Sequence, residues 1–448
     1  MWMAESWPPS VNLLMSNPMK NSYPNSILSL LLLTAFILAT ACSVNEAEFI
    51  ITNTSENDRD DEPIILTRQQ IIERSGEIPL MEGQLPLPHN NGEPIPAQLD
   101  DMNMDGEWDE LAFTLDLAAG ETKNIVLQFV DVNEYPQFDT RTNVRFGVLD
   151  AGQVHPVTQL SLTDQELPVP LFERFQMDGP AWENDKVGFR QYIDGRNGRD
   201  FFGKTSPSMA LDTVGIADDS TLEDNYHEML PWGRDILAVG NSLGLGGLAI
   251  INNGEPVRLG ITFEDEKNNI ELTSYELITE GPVRSSFRIT YTGWNTGDDK
   301  IDLINTVTIW AGHYGHTNKV TLQKSGAMDT LAVGLVNIHN DNEPVILTGD
   351  GYNAFYTHDQ QTYDKQWYLG MGLVFPNENY LEYTEAPESG EGITNSYLLL
   401  FEMEEQQPLE YFVFAGWELS DEQFADPNYF NQFMDAQIYK MDHPVEVK

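Results

Sequence analysis

Between Gly179 and Lys204 the chain reads GPAWENDKVGFRQYIDGRNGRDFFGK. Lys186, Arg190, Arg196, Arg199 and Lys204 stand there among Trp182, Tyr192, Phe201 and Phe202, with Arg174 just upstream. From Phe172 to Lys204, six of the chain's 24 Lys and Arg residues meet six acids, so the window is neutral in a chain of formal net charge −47. Cations interleaved with aromatics, in a protein that otherwise repels anions, are the residue types that seat an anionic ligand. The same pattern suits a buried ion-pair network pinning a long loop, since buried arginines are ordinarily paired with carboxylates. Tyr226-His227 and Trp232-Gly233-Arg234-Asp235 follow shortly after and favour a site.

Histidine is the side chain that moves protons most readily near neutral pH. Of the eight, His89, His155 and His443 stand beside prolines, and His358 has no suggestive neighbours. His227 adjoins the cationic block. His313 and His316, in Gly-His-Tyr-Gly-His, read as a loop directly after a strong strand, and His339 ends another strand. His313 and His316 with a carboxylate can bind a metal, whereas a satisfied structural role suits at least one of them. Asp101, Asn103, Asp105 and Asp109, around Gly106, resemble the start of a calcium loop. An EF-hand counted from Asp101 needs Glu at its twelfth position, where Ala112 stands, so a compact non-EF calcium loop or a plain tight turn are the alternatives. No other cofactor is required. There is no G-x-S-x-G, no H-E-x-x-H and no phosphate loop, and no helical pattern follows Gly244-Leu245-Gly246-Gly247.

These residues need a scaffold, and the patterning supplies strands. Segments 258–263, 271–278, 283–292, 301–310, 331–338, 368–375, 396–401 and 411–415 are short and apolar, with Gly- and Asn-rich breaks between them. In Ile301–Trp310, Ile301, Leu303, Asn305, Val307 and Ile309 share one face. The fold class expected is all-β, a large antiparallel β-sandwich with few helices. One helix follows Asp426, with Pro427 in its first turn and Tyr429, Phe430, Phe433, Met434 and Ile438 along one side. Residues 66–142 read as a small N-terminal β unit with short strands at Ile78-Pro79-Leu80 and Ile95–Leu99 and a hairpin of 111–117 with 124–130. Residues 143–448 form the large sandwich.

The apolar run Ile27–Ala41 is 15 residues long, too short to span a bilayer comfortably and suited to a signal peptide over 1–41. Ala39-Thr40-Ala41-Cys42 resembles a lipobox, so Cys42, the sole cysteine, is expected to carry a lipid anchor, with 42–65 as a polar tether. That makes a lipoprotein of the periplasm or cell surface, touching membrane only through its anchor. A pI near 4.2 argues against nucleic acid and against docking on anionic lipid.

Trp182-Glu183, Arg190-Gln191-Tyr192, Asp200–Lys204, Tyr226-His227 and Trp232–Leu237 together resemble a bacterial family catalogued as a domain of unknown function. The similarity covers nearly everything after Gly76. Members occur in polysaccharide-utilisation clusters for uronic-acid polymers, and one branch is similar to an ulvan oligosaccharide dehydratase. The resemblance implies a galactose-mutarotase-like sandwich and elimination across C4–C5 of a terminal uronic acid, with a uronic-acid oligosaccharide as partner. Residue chemistry fits this. Arg190, Arg234, Lys204 or Arg196 would neutralise the sugar carboxylate. His227, or else Tyr192 or Tyr226, would take the C5 proton. A tyrosine, His313 or His316 would protonate the leaving oxygen. Trp182 and Trp232 would stack on sugar faces, or else fill the core. A true polysaccharide lyase and a non-catalytic glycan-binding lipoprotein are the competing readings.

Overall fold

The computed structural model describes residues 46–75, 83–167, 174–297, 299–324 and 329–448. All of them lie in one compact unit, Glu46–Lys448. The expected signal peptide, Cys42 and the strand at Ile78–Leu80 fall outside the described residues.

The all-β expectation holds. A nine-stranded antiparallel sheet runs in the spatial order Gln159–Thr163, Leu272–Thr279, Arg284–Asn295, Lys300–Trp310, Gly315–Lys324, Pro408–Trp417, Leu369–Pro376, Tyr352–Asp359, Val345–Thr348. Two five-stranded sheets contribute to the same core. One is Gly233–Asp235, Arg199–Lys204, Gly188–Gln191, Ala181–Asn184, Thr142–Arg145. The other is Glu255–Arg258, Leu245–Asn252, Asp329–Val336, Ser396–Met403, Tyr380–Glu385. Strand periodicity explains the sandwich. From Ile301 to Trp310 the buried positions alternate strictly with half-buried ones, so one face joins the core with Trp182, Phe189 and Phe201 from the first small sheet and Val333 and Leu399 from the second. The helix Pro427–Asp442 begins as expected. The Asp426 side chain accepts from the Asn428 N–H, Pro427 occupies the first turn, and Phe430, Met434 and Ile438 pack on Ala354, Val374 and Phe414.

Several boundaries differ from the sequence expectation. From Glu46 onward the supposed tether is core. Glu46–Thr52 buries Ala47, Phe49 and Ile51 in alternation, and Arg59–Thr67 buries Ile64 and Leu66. Acidic residues on the other face hid that period of two. A short helix, Arg68–Ser75, was also missed. Glu110–Leu117 and Thr122–Asp131 are strands, yet they do not form the expected hairpin. The first pairs with Arg59–Thr67 and Ala97–Asp100, the second with Glu46–Thr52 and Gln84–Asn90, so the chain crosses between two sheets at the turn. The segment 258–263 holds a strand only to Arg258. The N-terminal sheet takes its edge from the far end of the chain, with Ile51 opposite Val447 and Thr52 opposite Glu446.

A buried ion pair joins the N-terminal sheets to the sandwich. Arg284 Nε donates to Asp100 Oδ2 at 2.8 Å and Nη1 to Glu110 Oε2 at 2.7 Å. Removing one partner leaves the other's charge buried and unpaired. Arg284→Ala is therefore expected to cost about 3–5 kcal/mol in urea unfolding. Arg288→Ala, whose pair with Glu276 is about one-third exposed on each side, should cost under about 1 kcal/mol. Equal shifts for the two variants would refute this account.

Candidate active site

The first five-stranded sheet is two-faced, and its sequence dictates how. Trp182, Phe189 and Phe201 point into the sandwich core. Arg190 lies directly opposite Asp200, and Phe202 opposite Asp235. Arg190, Asp200, Phe202, Lys204 and Asp235 therefore share the opposite face, because side chains alternate along each strand. A polar face of this kind needs a cover, and the segment 205–232 provides one. Leu211, Val214 and Tyr226 pack with Met177 and Phe202, and Trp232 closes edge-on over Phe202 at 5.9 Å. The Lys204 ammonium fastens the cover's start. It binds Glu183, the Asn184 carbonyl at 2.7 Å and the Ser208 carbonyl at 2.9 Å, while Glu183 Oε1 accepts from the N–H groups of Ala210 and Leu211 at 2.6 and 2.8 Å. Tyr226 ends the cover at the sheet, its carbonyl accepting from the Asp235 N–H at 2.9 Å.

Beside this face opens a cavity of about 880 Å³. Arg190, Tyr192, Arg196, Tyr226 and His227 all line it, together with Asp178. That volume is ample for a sugar unit or two. Arg190 is its floor. Nε and Nη2 donate to Asp200 Oδ2 at 3.0 and 2.6 Å, and Nη2 donates to Asp235 Oδ2 at 2.7 Å and to the Tyr192 hydroxyl at 2.9 Å. Nη1 donates to the Tyr226 hydroxyl at 3.1 Å. The guanidinium also faces the rings of Tyr192, Phe202 and Tyr226 at 4.6 to 5.2 Å. Tyr192 in turn donates to Asp200 at 2.6 Å. Arg196 stacks 3.9 Å over the Tyr192 ring and pairs with Asp194 at 2.6 Å and Asp178 at 3.3 Å. His227 stands at the mouth with its side chain 54% exposed, Nε2 3.0 Å from Asp224 and Nδ1 3.4 Å from Asp235.

The electrostatics sort these groups by role. Burial drives the Tyr192 and Tyr226 phenols well up, with Arg190 working against it, so both hold their protons at neutral pH. Burial opposes the charge on Arg190, but the groups around it, Tyr192 first, then Asp200 and Asp235, more than offset this. Asp235 is pushed up to about 8, first by burial and then by Asp200, with Arg190 pulling the other way. Asp235 shares the Arg190 guanidinium with Asp200, at 2.7 and 2.6 Å, and the neighbouring carboxylate adds to the effect of burial.

Six expected site residues are elsewhere. Trp182 is fully buried, stacked on Phe189 at 5.9 Å. Trp232 braces the cover rather than lining the cavity. Lys204 is consumed by Glu183 and two carbonyls, with burial lowering its pKa. Arg234 lies on the other face, pairing with Asp364 at 3.1 Å and resting over Trp367. His313 is half-buried, with Nε2 3.0 Å from the Asp61 carbonyl. His316 belongs to the strand Gly315–Lys324 rather than to a loop, so its ring turns inward against Phe189 and Trp182 at 4.4 and 5.0 Å. Loss of solvation lowers the proton affinity of both imidazoles, that of His316 the more. In the aspartate-rich turn, Asp109 Oδ2 accepts from the N–H groups of Met102 and Asn103 at 2.8 and 3.0 Å, and Asp101 accepts from those of Asp105 and Gly106 at 3.1 and 2.7 Å. These carboxylates build the turn itself. Among the described residues no group of three or more His, Cys, Asp or Glu is gathered to hold a metal. Asp178, Asp194, Asp200 and Asp235 went unselected in the sequence. The signal for Asp200 was its place opposite Arg190 on adjacent strands.

The Asp235 shift has a stability consequence. From its ordinary 3.8 up to about 8, the folded chain keeps a proton that the unfolded chain has released. Stability therefore falls as pH rises through that window, and the slope ends above it. Thermal melts between about pH 5 and about pH 9 should show a shallower fall for Asp235→Asn than for the wild type. Parallel curves would show that Asp235 is not the proton's seat.

Comparison with known proteins adds the following. An uncharacterized protein P7 of Formosa agariphila is 24% identical over 284 residues, 60% of this chain and 67% of that protein. Two solved structures from Enterococcus faecalis, a protein in glycosyl hydrolase family 38 and an alpha-mannosidase, align with TM-scores of 0.48 and 0.47 at 11% identity. They cover 90% and 94% of this chain, which spans about half of each, 47% and 48%. The model of the family described as Domain of unknown function (DUF4861) matches residues 51–447, and the chain belongs to that family.

Proposed function

We propose that the protein is a carbon–oxygen lyase that removes water across C4–C5 of a terminal uronic acid in an oligosaccharide. The observation that carries this reading is the meeting, on one cavity of about 880 Å³, of an exposed imidazole, two protonated phenols and two arginines. Elimination asks for those groups. The C5 proton becomes acidic only when the neighbouring carboxylate is neutralised, a role that suits Arg196 at the cavity wall. Arg190 is excluded from that contact because its donors already hold Asp200, Asp235, Tyr192 and Tyr226. It acts instead as the positioning residue for both phenols.

His227 is the base, with Asp224 beside Nε2 to orient it and stabilise its protonated form. Tyr226 is the acid. Its oxygen accepts from Arg190, which leaves its proton free to be donated, whereas Tyr192 gives its own to Asp200. In the step, the C5–H bond breaks towards His227 and its electron pair forms the C4–C5 double bond. The C4–O bond breaks, and the departing hydroxide takes the Tyr226 proton and leaves as water. Arg190, 3.1 Å from that oxygen, stabilises the phenolate until a proton returns. The anchoring of the chain through Cys42 belongs to the same proposal, since it would hold such an enzyme at the membrane that its substrate reaches.

Oligosaccharides ending in a uronic acid, incubated with the protein and read by mass, should lose one water and gain the ultraviolet absorbance of the unsaturated product. A shortened chain would instead indicate a lyase that expels a sugar, and binding without absorbance a capture protein. His227→Ala and Tyr226→Phe are each expected to lower kcat by about 100-fold or more, with binding kept within about tenfold. Unchanged turnover in His227→Ala would eliminate it as the base.

A further inference from the structure

Four carboxylates surround the two cavity arginines, and one of them differs from the rest. Asp194 and Asp200 have fully buried side chains and Asp235 is 5% exposed, all within 2.7 Å of a guanidinium nitrogen. Asp178 is 22% exposed, lines the cavity, and stands at 3.3 Å from Arg196 and 4.0 Å from Arg190. Those three already take the short contacts of both guanidinium groups, so the fourth carboxylate is the most loosely held. Its repulsion reaches Asp194, whose carboxyl is raised by burial first, and by Asp178 among the weaker causes.

The backbone presents Asp178 at a cost. Met177 and Asp178 are consecutive non-glycine residues in the left-handed region, at φ 54° and 59°. Such residues cluster where a side chain must be aimed against local preference. The turn is fastened on both sides. The Asp178 N–H donates to the Phe175 carbonyl at 3.2 Å, and its carbonyl accepts from the Ile193 N–H at 3.0 Å. Gly179 lies so close to the neighbouring strand that a Cβ there would meet the Gln191 carbonyl oxygen at 2.0 Å. A strained turn thus holds a partly exposed carboxylate against Arg196 in the cavity wall.

We propose that Asp178 is a resident carboxylate that occupies the anion position of Arg196 and is displaced by the carboxylate of an incoming acidic sugar. The identity of that ligand rests on the uronate reading above; the exchange itself does not. Asp178 then competes with the incoming acid for Arg196, whereas a neutral sugar, which leaves the Asp178–Arg196 pair in place, does not sense that competition.

Two arms test the two parts separately. Acetate, against chloride at matched ionic strength, should raise the melting temperature of Asp178→Ala saturably and leave that of the wild type unchanged. A glucuronate-terminated disaccharide should bind Asp178→Asn roughly tenfold more tightly than the wild type, while its methyl ester binds both alike. Absence of a saturable acetate response in Asp178→Ala overturns the exchange, as does an acid-to-ester ratio in Asp178→Asn no higher than that of the wild type. An acetate response with neither protein binding the disaccharide retains the exchange and removes the uronate reading. Should Asp178→Ala fail to fold, the acid-to-ester ratio of Asp178→Asn decides alone.

Discussion

Arg190 is buried where a lone charge could not survive, and its neighbours are arranged around that fact. A guanidinium taken out of water must recover the lost solvation through hydrogen bonds to anions. Asp200 supplies this from the adjacent strand and Asp235 from the strand beyond it. With those contacts made, its remaining donors fix two phenols at the edge of the cavity. Two strand pairings and a carboxylate pair thereby determine where acid groups stand. A lysine could not substitute, because a point charge lacks the planar fork that reaches two acids and two hydroxyls together.

The covering segment answers a second constraint. One face of the five-stranded sheet feeds the sandwich core, and the other holds charges that exclude ordinary packing. Segment 205–232 closes over it with a small apolar cluster of its own and a buried Lys204–Glu183 pair at its start. Polar groups on this face are thus shielded from water without being sealed from the cavity, and the shielding gives them their shifted proton affinities.

The sandwich was readable because period-two alternation survives in single strands such as Lys300–Trp310. The cationic block was readable because arginines are rare in so acidic a chain. Its partners were not, since any of 71 acidic residues might have been chosen; only strand register picks out Asp200 and Asp235. His316 was misplaced for a related reason. Gly312 and Gly315 suggested a loop, while the strand resumes at Gly315 and turns the imidazole inward. The first N-terminal strands were masked by Glu46, Glu48 and the acids near Arg59, which occupy outward positions in a pattern otherwise apolar. Trp182 and Trp232 show that an aromatic beside a site more often supports it from behind than touches what enters.

The pairing of Glu46–Thr52 with Glu446–Val447 closes the N-terminal sheet across roughly 400 residues of chain, a very non-local contact. During synthesis this sheet cannot be finished until Glu446–Val447 has left the ribosome, so its final hydrogen bonds form late. Until then the edge at Ile51 and Thr52 stays open to other strands. A protease that cuts ahead of Glu446 would return a mature molecule to the same adhesive condition.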